Sequence, residues 1–305
     1  MEAIDRYRGA LLGLACGDAV GTTVEFMPRG SFAPVTDMVG GGPFSLAPGR
    51  WTDDTSMALC LAESLAHTGR CDPADQMARY ANWHEWGYWS STGICFDIGM
   101  TTKGAIHQFR QTGEALSGPA DPATAGNGSL MRLAPIALRF GHDERLVQDM
   151  AALSSRTTHG ATECLDACRV FAVALSRALN GMTKKKVLDL GGLALDSAMI
   201  RAIAAADHGA KRADQIKGSG YVVDSLEAAL WCYARHNNFR EAVLEAANLG
   251  DDADTTAAIV GQIAGATYGM AGIPPSWLAR LHLAQEITHL ADALHRAQSE
   301  ALAGN

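Results

Sequence analysis

Two runs of small residues constrain this chain most. Gly9, Gly13, Gly17 and Gly21 recur every fourth residue in "RYRGALLGLACGDAVG", and Gly261, Gly265 and Gly269 do so in "IVGQIAGATYGM". The apolar residues around them follow a helical period, and a glycine inside a helix costs about 0.8–1 kcal/mol relative to alanine. A stripe of them is tolerated where two backbones approach closely and gain dispersion contact. Both runs are therefore expected at the centre of a helix bundle. They do not read as membrane spans, because Asp5, Arg6, Arg8 and Asp18 interrupt the first and neither forms an apolar stretch long enough.

Helical spacing continues through the rest of the chain, and alternating β-branched runs are nearly absent. The spacing predicts helices over 4–19, 54–67, 73–87, 99–112, 129–140, 143–153, 160–180, 195–207, 220–235, 238–248, 254–271 and 276–302. Gly/Pro-containing loops fall at 27–51, 113–128 and 181–194, none of them polar and long enough for an interdomain linker. The expectation is an all-α fold in one domain spanning 1–305, with 48% hydrophobic residues to fill its core.

Composition removes several classes of function. A net charge of −8 argues against binding nucleic acid by phosphate neutralisation, and the triplet Lys184–Lys186 reads as a solvated loop. The seven cysteines, Cys16, Cys60, Cys71, Cys95, Cys164, Cys168 and Cys232, are odd in number and sit mostly in apolar runs. They read as reduced core thiols of a cytoplasmic protein, and Cys164 and Cys168 have no second ligand pair nearby to make a zinc site. No signal-peptide cleavage pattern follows the N-terminal run.

Two acidic clusters remain to be explained. "WTDDTSMAL" places Thr52, Asp53, Asp54 and Thr55 before one helix, and "GDDADTT" places Asp251, Asp252, Asp254, Thr255 and Thr256 before another. Taken singly, each could be a helix cap, since Thr and Asp accept bonds from the orphan N–H groups of a first turn. A helix N-terminus supplies only about half a positive charge, however, and three carboxylates within four residues need more. Two such clusters, each at the mouth of a core helix, point to a cation. Carboxylate and hydroxyl oxygens without neighbouring His or Cys suit Mg²⁺ or Mn²⁺, and two ions sharing a bridging carboxylate fit the number of donors.

These residues carry a resemblance. "GDAVGTTVEF", "WTDDTSMAL", "STGICFDIGMTT", "AGNGSLMRLAPIAL", "THG" and "LGDDADTTAAIVGQIAGATYG" stand in the order of the motifs of the ADP-ribosylglycohydrolase family, over residues from about 5 to 272. That family contains the hydrolases that remove ADP-ribose from dinitrogen reductase and the ADP-ribosyl-acceptor hydrolases. The resemblance implies a compact orthogonal all-α bundle with two Mg²⁺ or Mn²⁺ ions at the base of an ADP-ribose cleft. Carried over motif by motif, it implies metal ligands Thr52, Asp53, Asp54, Asp252, Asp254 and Thr255, with Glu25 near the metals in positioning or gating. Asp251 stands where the family has a small or neutral residue and is left outside the ligand set.

Asp97, between Phe96 and Ile98, is either the cap of the next helix or a carboxylate that moves a proton on the ribose, as the resemblance implies. With Glu25 and Asp254 it makes up the expected catalytic set. The turns "DIGMTT" and "AGNGSLMR" can offer backbone N–H groups to phosphate, which answers how an acidic protein holds a dianion. The candidates for ADP-ribose contact are Gly99, Met100, Asn127, Gly128, Ser129 and Met131, with His159 added from the family motif. Arg132 is open between a phosphate partner and a structural ion pair.

The implied reaction is metal-assisted hydrolysis of the bond between the anomeric ribose carbon and an acceptor, with carboxylates handling protons. Arginine on a protein is the expected acceptor, because a planar cation suits a rim of carboxylates and aromatic faces. Trp83, Trp86, Tyr88 and Trp89 are the candidate faces, with helix core as the other reading of "YANWHEWGYW". Serine-linked ADP-ribose, O-acetyl-ADP-ribose and nucleic-acid adducts are the alternative substrates. A structural relative, such as the eye-lens crystallins of this fold, would lose metal ligands, and an ADP-ribose reader could spare the acids; this chain retains the whole set. No membrane partner is expected, and the protein is expected to act as a monomer.

Overall fold

The computed structural model describes residues 1–303 and is helical throughout, with isolated bridges only at Gly41–Leu46 and Gly126–Tyr221. The helices are α1 (Ala3–Gly21), α2 (Asp53–Thr68), α3 (Pro73–Trp86), α4 (Met100–Thr112), α5 (Ala134–Phe140), α6 (Glu144–Ser155) and α7 (Thr162–Leu179). They continue with α8 (Lys184–Val187), α9 (Ala198–Ala204), α10 (Val222–Arg235), α11 (Phe239–Ala247), α12 (Ala253–Tyr268), α13 (Pro275–Arg280) and α14 (Ala284–Ala303). Among the described residues no helix is long and apolar enough to cross a membrane.

The glycine stripes meet. α1 and α12 run antiparallel, and a Cβ placed on Gly9, Gly13, Gly17 or Gly21 would lie 2.3, 2.3, 2.1 and 2.4 Å from the carbonyl oxygens of Gly265, Gly261, Ala257 and Ala253 respectively. No side chain fits there. Leu11, Leu12, Leu14, Ile259, Val260 and Ile263 point away from the seam into the surrounding core, and all are buried. Gly269 closes the seam at its far end, where a Cβ on Gly9 would also lie 2.6 Å from the Gly269 carbonyl carbon. Its φ of +71° ends α12, a left-handed conformation that costs glycine little.

Four boundaries differ from the sequence reading. The helix expected over 129–140 is helical only from Ala134, because Pro135 carries no N–H and fits the first turn of a helix. The segment before it remains a turn. The single helix expected over 276–302 is broken into α13 and α14 by Leu281 in an extended conformation and Leu283 at φ +52°. The stretch 195–207 contains only the short α9, capped by the Ser197 hydroxyl. The loop 181–194 contains α8, where Lys184 is bonded to the His236 carbonyl and lies 5.0 Å from the Tyr233 ring, so this lysine is not simply solvated.

The seam matters for function because of where it ends. The C-terminus of α1, with Asp18 and Gly21, lies against the N-terminus of α12, with Ala253 and Asp254. The N-terminus of α2 joins them through Asp18, and the three ends form one floor.

Candidate active site

That floor is built by Asp18. Its Oδ1 accepts from the Thr52 N–H at 2.9 Å and the Thr52 hydroxyl at 3.0 Å, while Oδ2 accepts from the Thr55 N–H at 3.0 Å and the Thr55 hydroxyl at 2.6 Å. The α2 N-terminus is therefore capped from α1, and its own N-cap residue, Thr52, makes no side-chain cap bond. Asp252, at the N-cap of α12, makes none either. The capping explanation fails for both clusters, and Asp53, Asp54, Asp252 and Asp254 are left for another purpose. Asp18 was not among the expected site residues, although its place one turn before Gly21 on the glycine-striped helix was visible.

The two clusters, about two hundred residues apart in sequence, are in direct contact. The Thr52 hydroxyl lies 3.0 Å from Asp254 Oδ2 as well as from Asp18 Oδ1, with one proton to share between them, and the Thr255 hydroxyl donates to Asp54 Oδ2 at 3.2 Å. Asp54 Oδ1 and Asp254 Oδ1 are buried and have no hydrogen-bond partner among the described residues. Carboxylate oxygens of Glu25, Asp97 and Asp254 lie within 4.8 Å of one another. Burial, followed by the charge of neighbouring acids, holds Asp53, Asp54 and Asp254 well above the usual carboxylate range. Burial raises Asp252 as well, and for the same reason Glu25 is pushed up to about 9, with Asp97 as the next cause. Such a set, all oxygen, desolvated and without a neutralising base, fits divalent hard cations. Orphaned oxygens at the floor are where such cations would be held.

Above the floor opens a cleft of 880 Å³ lined by Glu25, Asp53, Asp97, Asp252, Asp254 and Thr255. The uncharged part of the lining includes Gly99, Met100, Thr101, Thr102, Gly126, Gly128, Met131 and His159. Asp97 has φ +61°, uncommon for a residue with a side chain, and its carboxyl is raised to about 7 by burial and by the charges of Asp18 and Asp252. It is half-buried, and it is not a helix cap: Gly99 occupies the N-cap of α4 and no side chain bonds that end.

The phosphate candidates divide. In the first turn of α4 the N–H groups of Met100, Thr101 and Thr102 make no backbone hydrogen bond among the described residues, as expected for a free helix start facing an anion. In the second turn the N–H groups of Gly128 and Ser129 are likewise free, whereas the Asn127 N–H is bonded to the Gly220 carbonyl. The Asn127 side chain donates to Asp252 Oδ2 at 2.6 Å and to Ser225, so it orients a floor carboxylate. The Ser129 side chain turns into the core against Cys168 and Ser155, and Ser129 itself is buried and does not line the cleft.

Arg132 corrects both of its sequence readings. It is 1% exposed, pairs with no carboxylate among the described residues and does not line the cleft. Its guanidinium lies 4.7 Å over the Tyr80 ring and donates to the Gly128 carbonyl and to the Thr157 and Thr158 hydroxyls. The aromatic candidates are also corrected. Trp83 is core, Trp86 is 67% exposed, and Tyr88 and Trp89 both donate to Glu63; none lines the cleft. Phe26 and Phe44 line it instead, 6.5 Å apart edge to face, with Phe96 5.1 Å behind Phe44. Phe26 is 65% exposed at φ +61°, held by its N–H bond to the Asp251 carbonyl at 2.7 Å. Asn127 and Asp251 also line the cleft, so Asp251, left outside the ligand set by the sequence reading, faces the same opening; Ile98, Ser219 and Gly220 complete the lining, and sequence reading missed these three because nothing local distinguishes them.

Comparison with known proteins agrees with this geometry. The family model described as ADP-ribosylglycohydrolase matches residues 1–303. A protein of Pseudomonas putida (strain GB-1), ADP-ribosylarginine hydrolase Tri1, is 48% identical over 294 residues, covering 96% of this chain and 78% of that protein. The ADP-ribosyl-[dinitrogen reductase] glycohydrolase of Rhodospirillum rubrum is 35% identical over 299 residues, covering 95% of each. A solved structure described as an ADP-ribosylglycohydrolase-related protein complex superposes with a TM-score of 0.87 at 44% identity, covering 97% of this chain and 99% of that one.

Proposed function

This chain belongs to the ADP-ribosylglycohydrolase family, and from that premise we propose that it hydrolyses the bond between the anomeric ribose carbon of ADP-ribose and an arginine side chain on a modified protein. The observation that carries the reading is the convergence of two acidic clusters, with unpartnered Asp54 and Asp254 oxygens, on the floor of a cleft that also offers free N–H groups. Two relatives at 45% identity or more are named ADP-ribosylarginine hydrolases, which supports arginine as the acceptor.

In this reading Thr52, Asp53, Asp54, Asp252, Asp254 and Thr255 hold two Mg²⁺ or Mn²⁺ ions. When bound, such cations would polarise ribose hydroxyls and orient a water. The remaining work belongs to the protein. The free N–H groups of the α4 start and of Gly128 hold the diphosphate, so a chain of net charge −8 binds a dianion without surface bases. Met131 packs beside it. Asn127 fixes Asp252, and Asp18 fixes Thr52 and Thr55, so the floor is organised before substrate arrives.

Asp97 sits beside Glu25 with a carboxyl raised to about 7, so it can give a proton to the departing nitrogen and recover one from water near neutral pH. Glu25, buried between Asp97 and the floor, shares that proton traffic. On the acceptor side, the Phe26 and Phe44 faces flank these acids and suit a planar guanidinium through stacking and charge. Seven free cysteines support a reducing, cytoplasmic setting.

The test is a substrate panel: arginine-, serine- and nucleobase-linked ADP-ribose and O-acetyl-ADP-ribose, with free ADP-ribose measured as product. Release should be fastest from the arginine conjugate. Faster release from a serine-linked peptide overturns the acceptor and leaves the glycohydrolase reading standing.

A further inference from the structure

Beneath the second phosphate turn runs a chain of buried polar groups with no acid in it. Arg132 Nη2 donates to the Thr158 hydroxyl at 2.8 Å and to the Thr157 hydroxyl at 3.1 Å. An arginine can only donate, so both hydroxyls accept there and each must send its own proton elsewhere. Thr157 sends it to the Ser154 carbonyl at 2.7 Å. For Thr158, the one other hydrogen-bond partner among the described residues is His159 Nδ1, at 2.9 Å. If Nδ1 carried a proton instead, the buried Thr158 hydroxyl would face two donors and waste its own hydrogen, which costs free energy in the interior.

We propose that Arg132 and Thr158 are positioning residues which set the tautomer of His159, forcing Nδ1 to accept and thereby placing the proton on Nε2, where it donates to a phosphate oxygen of the bound ligand. The Nε2–Cε1 edge faces the phosphate turn: a Cβ on Gly128 would lie 3.2 Å from Nε2 and 2.7 Å from Cε1, and one on Gly126 would lie 3.5 Å from Nε2. Both glycines and His159 line the cleft, and Nε2 makes no hydrogen bond within the described residues. Burial, with Arg132 second, depresses His159 to about 3, so the ring is neutral and its donor depends wholly on the tautomer. With the opposite tautomer Nε2 would present a lone pair to the phosphate. Arg132 does a second job in the same place, since its bond to the Gly128 carbonyl at 3.1 Å holds the turn that His159 faces. The phosphate half of this inference rests on the ADP-ribose reading above; the tautomer half does not.

The experiment separates them. Ring nitrogens of ¹⁵N-histidine-labelled protein are read by long-range ¹H–¹⁵N correlation, with His159 assigned by loss of its signals in His159→Gln. In the ligand-free wild type, His159 should show protonated Nε2 and bare Nδ1, without change across neutral pH. Thr158→Val, which keeps the shape and removes the hydroxyl, should lose that fixed tautomer and bind ADP-ribose about tenfold more weakly, the scale of one hydrogen bond to a charged group. Thr158→Ser should restore the tautomer and bring affinity to within about twofold of wild type. A proton on Nδ1 in the wild type overturns the proposal, as does an unchanged tautomer in Thr158→Val. A changed tautomer with unchanged affinity overturns the phosphate contact alone. If Thr158→Val does not fold, the wild-type and Thr158→Ser spectra still decide the tautomer. Failure of wild type to bind ADP-ribose at all counts against the functional reading, while the spectra still judge the relay.

Discussion

The two walls of the cleft solve opposite electrostatic problems with opposite means. On one wall Glu25, Asp53, Asp97, Asp252 and Asp254 face the opening with no base among them. On the other, glycine turns, the α4 start and a neutral His159 make up the proposed anion site, and Arg132 beneath it is bonded to the Gly128 carbonyl and does not line the cleft. The acidic wall is left short of positive charge, which cations would supply. The proposed anion wall offers fixed dipoles, which need no added charge to hold an anion. The contrast teaches that binding and chemistry are separable here: damage to one wall should leave the other's property measurable.

The largest effect should come from emptying the acidic wall. Chelation should abolish turnover, and Mg²⁺ or Mn²⁺ should restore it while Zn²⁺ does not; full activity in a verified metal-free preparation would refute this. Asp254→Ala should likewise remove turnover and at least one bound ion, counted by metal analysis. Next in size is Asp97→Asn, which should lower turnover by about 10²-fold while leaving the melting temperature and ADP-ribose affinity nearly unchanged. A matching loss of stability would return Asp97 to a structural role.

On the anion wall, Gly128→Ala puts a methyl 2.7 Å from His159 Cε1, so the turn or the ring must shift. ADP-ribose binding, measured by calorimetry, should weaken by about tenfold with metal affinity unchanged, the reverse of the Asp254→Ala pattern. Loss of metal affinity in this variant would dissolve the distinction between the walls. The smallest effect concerns stability. Glu25 is raised from 4.5 to about 9 and Asp97 from 3.8 to about 7. The folded, metal-free protein thus keeps protons that the unfolded chain releases. Their stabilising contribution is complete below about pH 4 and is lost as pH rises through the folded values. The melting temperature of chelated protein should therefore fall by a few degrees between about pH 5 and 8.5, and divalent cation should flatten the slope. A rise with pH in the chelated protein would contradict it.

Local pattern was enough to find most of the helices, the two glycine stripes, both acidic clusters and the two glycine-flanked turns that line the cleft. Each depends on spacing within a few residues, and a four-residue glycine repeat or a Thr-Asp-Asp run carries its physical meaning without knowledge of its neighbours. The central place of α1 and α12 followed from the stripes, whereas their pairing with each other, in which Gly17 and Gly21 meet Ala257 and Ala253, is seen only in the structure.

What spacing left open is the direction of side chains whose partners are far away in sequence. Asp18 caps a helix more than thirty residues on, Asn127 spends its amide on Asp252, and Arg132 passes under the turn it was expected to flank. The aromatic rim moved from Trp86 and its neighbours to Phe26 and Phe44 for the same reason. A helical period says that a residue is buried or exposed, but a polar group's function depends on which single donor or acceptor it meets. That meeting is settled by packing between segments up to about two hundred residues apart, where bonds such as Thr52 to Asp254 become geometrically possible only once the seam has closed.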